Sequence, residues 1–383
     1  MTDLEDRLRQ ALSAEAERAQ PGMLRPLRAP RSPAAVGWPA TRARPGRRWP
    51  GWVAPVAAAA AVIAVVAGTV AVSGVIHGRR AAAGAGLTHR IIAYVVNGDS
   101  GTLTPIRSAT NRALPPVKTG RQPMAIAITP DGKTAYVVNG GSGTVTPIRT
   151  ATNTALPSVK TGRSPAAIAI TPDGKTAYVT NNGSGTVTPI RTASNTALAP
   201  VKTGPSPRDI AITPDGKTAY VANDASAGTV TPIRTATNTA LPPVRTGRLP
   251  VAIAITPDGK TAYVTINDSG TVTPIRTATN RPGKPIKTGR SPHAIAITPD
   301  GKTAYVANFA SGTVTPIRTA TNTALPPVRT GVLPVAIAIT PDGKTAYVAN
   351  EASGTVTPIR TATNKALPPI KTGRGADAIV ITP

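Results

Sequence analysis

The residues best suited to catalysis or ligand binding occupy one position of a segment that recurs along the chain. The residue that follows a repeated proline is Met, Ala or Val in most copies, but it is Arg208 in one copy, His293 in another and Asp377 at the equivalent place in the last. His293 is the only histidine after residue 90. A guanidinium, an imidazole and a carboxylate at one end of a fold could bind a polar ligand, and the imidazole could transfer a proton.

A second set of polar or aromatic residues lies in the loops that are predicted on the same face. The set consists of Asp99, Asp224, Asp268, Phe309 and Glu351. The copy that holds Asp224 also carries a one-residue insertion. Ligand sites commonly lie where loops vary, so both sets together predict a ligand-binding mouth, although neutral drift at loop tips would produce the same pattern.

Other common catalytic and metal sites lack their residues in this sequence. A Ser-His-Asp triad would depend on His293 alone, no three or four zinc ligands cluster, and cysteine is absent. Carboxylate-bound Ca²⁺ in a central channel would need acids on several inner strands, whose positions we read as Ile, Ala and Thr. We therefore assign no catalytic residue from the sequence, and the sequence predicts neither a metal nor a cofactor.

One repeated unit accounts for the chain beyond residue 90. Tyrosines mark its period of 42 residues, with one interval of 43, and they are Tyr94, Tyr136, Tyr178, Tyr220, Tyr263, Tyr305 and Tyr347. This period is typical of propellers and solenoids, and no 3.6-residue periodicity indicates helices. The strands of one unit are predicted at 167–171, 176–181, 185–192 and 197–202, with a hairpin turn at 172–175. Four antiparallel strands of this kind form one propeller blade.

The two ends of the repeat array indicate that it closes into a ring. The first unit begins at Tyr94 without an A-I-A-I-T segment, and the last ends with A-I-V-I-T-P at 378–383 without a tyrosine strand. The C-terminal strand can therefore pair beside Tyr94 and complete the first blade, which removes the open edges. The predicted fold is all-β, a seven-bladed β-propeller of four-stranded antiparallel blades at 91–383, closed by its N- and C-terminal strands.

The same pattern predicts how the blades pack. Inner strands read as apolar runs, such as Ile168–Ile170, so we expect both of their faces to be buried between stacked blades. We expect the repeated tyrosines to be core residues with hydrogen-bonded hydroxyls. Each third strand contains a proline, Pro189 in one unit, and we expect its missing N–H to face an outermost strand that is itself interrupted.

The chain is strongly basic, with 43 Lys and Arg against 17 Asp and Glu and a formal net charge of +26. Seven arginines at the predicted ends of the third strands contribute much of the excess: Arg107, Arg149, Arg191, Arg234, Arg276, Arg318 and Arg360. Such a field attracts phosphate, acidic glycans or anionic lipid headgroups, and salt weakens the attraction. The same charge would keep a repetitive sheet protein soluble and monomeric, and both interpretations stay open.

The N-terminal part predicts a membrane anchor. Residues 1–50 read as a short amphipathic helix, which could contact a cytoplasmic partner, and a disordered linker rich in Pro and Arg. Residues 51–77 predict a transmembrane helix, because 52–76 carry no charge. Arginines crowd its N-terminal side, so the N-terminus is predicted in the cytoplasm and the propeller outside it, after a linker at 78–90. A cleaved signal peptide is the weaker alternative, because the leader before the span is ~50 residues.

Several motifs recur, with small changes, from unit to unit. They include T-P-D-G-K-T-A-Y-V at 171–179, Y-V-T-N at 178–181, S-G-T-V at 184–187 and T-A-T-N at 150–153. Over residues 91–383 the chain resembles the YVTN family of β-propeller repeats. The resemblance implies a bacterial or archaeal surface or periplasmic propeller, and similar propellers occur in lactonases and in a lyase. The third strand departs from the family's V-S-V-I-D-T, because it reads V-T-P-I-R-T. Roles that depend on that acid are therefore not carried over.

Two functions follow as expectations. The first is a monomeric, membrane-anchored extracytoplasmic module, whose mouth or basic flank binds a protein or an anionic polymer such as cell-envelope phosphate, glycan or nucleic acid. The alternative is a lactonase- or lyase-like enzyme that acts on a small molecule and depends on His293.

Overall fold

The computed structural model describes residues 92–107 and 112–372. The predicted N-terminal helix, the membrane span at 52–76, the closing strand at 378–383 and Asp377 lie outside the described residues. Within the described residues, no helix is both long and apolar enough to span a bilayer. Anchoring in a membrane and the location of the propeller therefore stay predictions.

Seven antiparallel sheets follow one another along the chain as the blades of an all-β, seven-bladed propeller, which confirms the predicted fold. We number the blades 1 to 7 in chain order. Blades 2 to 7 each begin with an inner strand, and these strands are Pro123–Ile128, Pro165–Ile170, Pro207–Ile212, Pro250–Ile255, Pro292–Ile297 and Pro334–Ile339. The predicted inner strand of blade 1 is the C-terminal segment that the structure does not describe.

Each blade continues with two six-residue strands in unbroken antiparallel register. The second strands are Ile92–Asn97, Thr134–Asn139, Thr176–Asn181, Thr218–Asn223, Thr261–Ile266, Thr303–Asn308 and Thr345–Asn350. The third strands are Thr102–Arg107, Thr144–Arg149, Thr186–Arg191, Thr229–Arg234, Thr271–Arg276, Thr313–Arg318 and Thr355–Arg360.

The outer strand of every blade is split into two pieces. The first pieces are Arg112–Ala113, Thr154–Ala155, Thr196–Ala197, Thr239–Ala240, Arg281–Pro282, Thr323–Ala324 and Lys365–Ala366. The second pieces are Val117–Lys118, Val159–Lys160, Val201–Lys202, Val244–Arg245, Ile286–Lys287, Val328–Arg329 and Ile370–Lys371. In blade 3 the two pieces pair with the third strand on either side of Pro189. The backbone position at which proline lacks an N–H therefore faces the gap between the two pieces, as predicted.

The second and third strands, not the inner strands, form the fully buried layers. Residues 177–181 of blade 3 are all buried, whereas the inner strand Pro165–Ile170 is buried only at Pro165 and half-buried beyond it. The prediction that inner strands are buried on both faces is therefore wrong. Inner strands border the central channel of a propeller, so one neighbour is always missing on that side.

Each repeated tyrosine connects its blade to the next one. Six of them are buried, and their hydroxyls donate to the Oδ1 atoms of asparagines one blade further on at 2.6–2.8 Å. Tyr178, for example, donates to Asn238 Oδ1 at 2.7 Å and to Thr235 O at 3.1 Å. Burial, with a smaller effect of Asp173, raises the pKa of Tyr178 to about 12. The predicted core role of these tyrosines is confirmed for the six.

The blades have two different ends. The inner strands begin at one end, together with the loops between second and third strands, and we call this end the mouth face. The Pro-Asp-Gly-Lys turns between inner and second strands lie at the other end, the turn face. Asp173 in one such turn accepts hydrogen bonds from Thr171 Oγ1 at 2.6 Å and from Lys175 N at 3.0 Å, and Gly174 adopts a φ of 71° that favours glycine.

Candidate functional site

The mouth face of blade 4 carries an ion pair at the channel. Arg208 follows the first residue of the inner strand, and its Nη1 lies 2.9 Å from Asp224 Oδ2. Asp224 reaches this place because its backbone N–H donates to Ser206 O at 2.8 Å, which fixes the loop beside the strand. The side chains of Arg208 and Asp224 are 42% and 21% exposed, so each keeps an open side toward solvent.

Blade 6 presents an imidazole and a phenyl ring in the same way. Phe309 N donates to Ser291 O at 2.9 Å, which fixes the short 3₁₀ helix Phe309–Ser311 next to the start of the inner strand. The rings of His293 and Phe309 then contact each other with centroids 5.7 Å apart and an interplanar angle of 35°. Both side chains belong to half-buried residues.

The charges of blade 4 act on His293. Burial and the Arg208 guanidinium lower the pKa of His293 to about 4, and the Asp224 carboxylate partly opposes them by raising it. The imidazole is therefore neutral at pH 7, so one of its ring nitrogens can accept a proton. Arg208 with Asp224 on blade 4 and His293 with Phe309 on blade 6 are thus two contacting pairs on the mouth face that interact electrostatically, and we call these four residues the mouth cluster.

A further carboxylate, Asp209, lies next to Arg208 and was missed by the sequence analysis. Its Oδ1 accepts a hydrogen bond from Ile210 N at 2.8 Å, and its Oδ2 accepts one from Ile253 N of blade 5 at 2.9 Å. Burial raises the pKa of Asp209 to about 6, although both hydrogen bonds and Arg208 lower it. Asp209 therefore connects two inner strands directly beneath the mouth cluster.

The expectation that inner strands carry only Ile, Ala and Thr at the relevant positions is wrong at Asp209. The signal was visible, because blade 4 reads P-R-D-I-A-I where blade 3 reads P-A-A-I-A-I. A charged residue that replaces alanine on an inner strand is costly to bury without partners, so its presence indicates that the structure supplies hydrogen bonds.

The remaining predicted residues do not join the mouth cluster. Asp268 Oδ2 lies 3.7 Å from Arg248 Nε in an exposed pair on blade 5, and Glu351 N donates to Leu333 O at 3.0 Å on blade 7. Asp99 is exposed and lines a separate cleft of about 730 Å³ between blades 1 and 2. Asp377 lies outside the described residues.

The chemistry available at the mouth cluster comes from its side chains. In the part of the chain that the structure describes, no group of three or more His, Cys, Asp or Glu residues could hold a metal ion. Arg208 has donors beyond the one that Asp224 occupies, so it can also bind an anionic oxygen of a ligand. The neutral His293 can take a proton, and Phe309 beside it supplies an apolar surface. The arrangement fits a small polar ligand with an anionic or carbonyl oxygen.

Comparison with known proteins places the chain among propellers. The sequence model of the family described as lactonase, 7-bladed beta-propeller matches residues 87–246, which is less than half of the chain. The match spans the part of the sequence that holds Arg208, Asp209 and Asp224 and stops before His293. Comparison with curated proteins finds no match.

Solved structures of similar fold include proteins with different descriptions. Hydrazine synthase of Kuenenia stuttgartiensis is 26% identical with a TM-score of 0.62, covering 71% of this chain and 92% of that one. A protein of unknown function from Desulfotomaculum acetoxidans DSM 771 is 20% identical with a TM-score of 0.61, covering 74% and 97%. A putative 6-phosphogluconolactonase from Bacteroides uniformis ATCC 8492 is 20% identical with a TM-score of 0.58, covering 72% and 93%.

These likenesses define the class of protein. The chain carries a seven-bladed β-propeller, and the part of its sequence up to the end of blade 4 is similar to the lactonase propeller family. The two structures at 20% identity show the fold alone.

Proposed function

We propose that the chain is a hydrolase that opens a small lactone at the mouth of its propeller. The observation that carries the proposal is the mouth cluster, in which a neutral His293 lies within the electrostatic influence of the Arg208–Asp224 pair. The match of residues 87–246 to the lactonase propeller family supports the same reaction class. The alternative prediction from the sequence is thereby better supported than a binding or scaffolding role.

Each residue of the cluster has a part in the reaction. His293 accepts a proton from water as the water oxygen bonds to the lactone carbonyl carbon. Arg208 donates hydrogen bonds to the oxygen on which negative charge develops, and Asp224 holds the guanidinium in place. When the ring C–O bond breaks, the imidazolium returns its proton to the departing alkoxide. The product is a hydroxy acid, and the balance requires one water and no other reactant.

The electrostatics of the cluster set the protonation state of His293. Burial makes the charged imidazolium unfavourable, so His293 is deprotonated throughout the neutral range, although its lowered pKa also weakens it as a base. The Arg208 guanidinium is permanently charged, which suits it to a carboxylate or a developing oxyanion. Attachment to a membrane through residues 52–76 and an extracytoplasmic location are part of the proposal, and they rest on the sequence alone.

The direct test compares two variants of the full-length chain on a panel of five- and six-membered lactones. His293→Gln should lower kcat/KM by about 10²-fold or more, which is the usual contribution of a general base. Met124→Gln is the matched control, because Met124 stands at the equivalent position of blade 2 and is 44% exposed. It should retain wild-type turnover. The proposal fails if the wild-type chain opens no lactone of the panel, or if both variants lose activity equally.

A further inference from the structure

The turn face, opposite the mouth cluster, carries a repeated set of arginines. Each third strand ends there in an arginine, and Arg149, Arg191, Arg234, Arg276, Arg318 and Arg360 are exposed, while Arg107 is half-buried. Among the described residues, none of the seven forms a salt bridge. The proposed hydrolase site uses none of them.

The carboxylates of the turn face are already occupied. Asp173 accepts hydrogen bonds from Thr171 Oγ1 and Lys175 N, and its Oδ2 lies 3.7 Å from Lys175 Nζ. The hydrogen bond from Thr171 is the largest cause of the lowered pKa of Asp173. The same contacts recur at Asp131, Asp215, Asp258, Asp300 and Asp342. Each aspartate is therefore balanced by the lysine of its own turn, and the arginines remain as the uncompensated charge.

Grooves separate the turns of neighbouring blades and provide places for a ligand. Those described between blades 3 and 4, 4 and 5, and 6 and 7 measure about 750, 830 and 510 Å³. The groove between blades 4 and 5 is lined by Lys217, Lys260 and Arg276 together with the two occupied aspartates Asp215 and Asp258. In this groove the positive side chains outnumber the carboxylates, whereas the groove between blades 3 and 4 is lined by two aspartates and that between blades 6 and 7 by Lys302 and two aspartates.

Recognition on this face has to rely on charge. Six of the repeated tyrosines are buried, and the exposed large apolar residues of the described chain are Met124, Val332 and Ile370, of which none is aromatic. Stacking of nucleic-acid bases on aromatic rings is therefore not available. Arginine is suited to phosphate oxygens, because its planar fork donates two parallel hydrogen bonds.

We propose that the turn face binds a flexible, linear polymer of phosphates, which follows the arginines from blade to blade. Flexibility is required because the arginines are arranged around a propeller, whereas duplex DNA stays straight over about 150 base pairs. A repeating anion matches a repeating cation, so successive segments of one polymer chain can contact the arginines of successive blades. Affinity then depends on the number of blades engaged and falls with added salt.

The test uses the full-length chain and fluorescently labelled inorganic polyphosphate. Binding is followed by anisotropy at salt concentrations between about 50 and 200 mM, the range over which the affinity of phosphate contacts falls steeply. The turn-face variant is Arg191→Gln, Arg234→Gln and Arg276→Gln combined. The matched control, on the mouth face, is Lys160→Gln, Lys202→Gln and Lys287→Gln combined. It removes the same charge from residues that are also exposed, and both triple variants leave the basic N-terminal region unchanged.

The turn-face variant should lower the slope of log affinity against log salt by about 2 to 3, since each lost phosphate contact accounts for about 0.7 to 0.9. The control should lower it by less than about 1. Equal losses in the two variants would overturn the proposal, and so would duplex DNA that binds as tightly as polyphosphate per phosphate. Unchanged melting temperatures verify folding, and a second triple variant at Arg107, Arg318 and Arg360 should repeat the result. Lactone turnover should be unaffected, which separates this proposal from the hydrolase.

Discussion

The two faces of the propeller are built by the same repeat but differ in what the repeat varies. On the turn face, the six described Pro-Asp-Gly-Lys turns hold the same hydrogen bonds in blades 2 to 7, such as Thr171 to Asp173 in blade 3. On the mouth face, equivalent positions hold Met124, Arg208, Val251 and His293. Identical residues can act only as a collective surface or as structure. Residues that differ between blades can form one asymmetric site, which can bind a ligand in a single orientation.

The mouth cluster also differs from the turn face in how its charges are stabilised. Hydrogen bonds lower the pKa of each turn aspartate, for example Asp173, so ionisation of those groups favours the folded state. At the mouth, burial dominates and moves Asp209 and His293 in the opposite sense, toward their neutral forms. The folded state therefore disfavours the charged forms of Asp209 and His293, whereas it favours the charged forms of the turn aspartates.

The largest expected effect is a pair of opposed pH dependences at the mouth. The raised pKa of Asp209 stabilises the fold below pH 4, and this stability is lost as the pH rises through about 6. The lowered pKa of His293 stabilises the fold above about 6.5, and this stability is lost as the pH falls through about 4. Each effect amounts to about 3 kcal/mol, so in the wild-type chain they nearly cancel between pH 4 and 6.

Two variants separate these effects. In Asp209→Asn, the free energy of unfolding measured with urea should rise by about 3 kcal/mol from pH 4 to pH 6.5, because only His293 remains. In His293→Gln, it should fall by about the same amount, because only Asp209 remains. Parallel pH profiles in both variants would show that the mouth residues are solvated like ordinary surface groups, and the contrast between the faces would be lost.

The next effect concerns the tyrosines that connect neighbouring blades. Tyr178→Phe removes the hydroxyl that donates to Asn238 and Thr235, so the free energy of unfolding should fall by about 1 to 3 kcal/mol. Lactone turnover by the folded variant should not change. Phe309→Leu is the counterpart at the mouth, and it should lower turnover while changing stability by less than about 1.5 kcal/mol. If Tyr178→Phe lowered turnover and Phe309→Leu lowered stability instead, the repeated residue would be functional and the variable one structural, which would contradict this account.

The smallest effect compares two ion pairs of the mouth face by double-mutant cycles. The Arg208–Asp224 pair, at 2.9 Å and with Asp224 21% exposed, should contribute about 1 kcal/mol to stability. The Arg248–Asp268 pair, at 3.7 Å and with side chains 65% and 46% exposed, should contribute no more than about 0.3 kcal/mol. Similar coupling energies in both pairs would mean that the mouth cluster is no more ordered than its surroundings.

The sequence predicted the fold well, because the repeat supplies each structural signal six or seven times. The second strand of blade 3 was placed correctly at 176–181, and the interruption of the outer strand opposite Pro189 was anticipated from the missing N–H. Burial of the inner strands was misjudged, because apolar composition does not reveal that one side of a strand borders a channel.

The site could be predicted only in part. Positions that deviate from the repeat identified Arg208, Asp224, His293 and Phe309 on one face, and the structure shows two contacts among them, Arg208 with Asp224 and His293 with Phe309. Sequence could not show that Asp268 pairs with Arg248 away from them, because that depends on the loop geometry of blade 5. Asp209 was missed although its deviation from the repeat was visible, because its hydrogen-bond partner Ile253 lies on the next blade, 44 residues further along the chain.

The pH dependence of lactone hydrolysis tests the central claim most directly. If His293 is the base, log kcat/KM of the full-length chain should fall below a pH of about 4. Removal of the positive charge in Arg208→Gln should move this limb to higher pH, and removal of the negative charge in Asp224→Asn should move it to lower pH. A limb near pH 6 that disappears in Asp209→Asn, or a limb that neither substitution moves, would contradict the account.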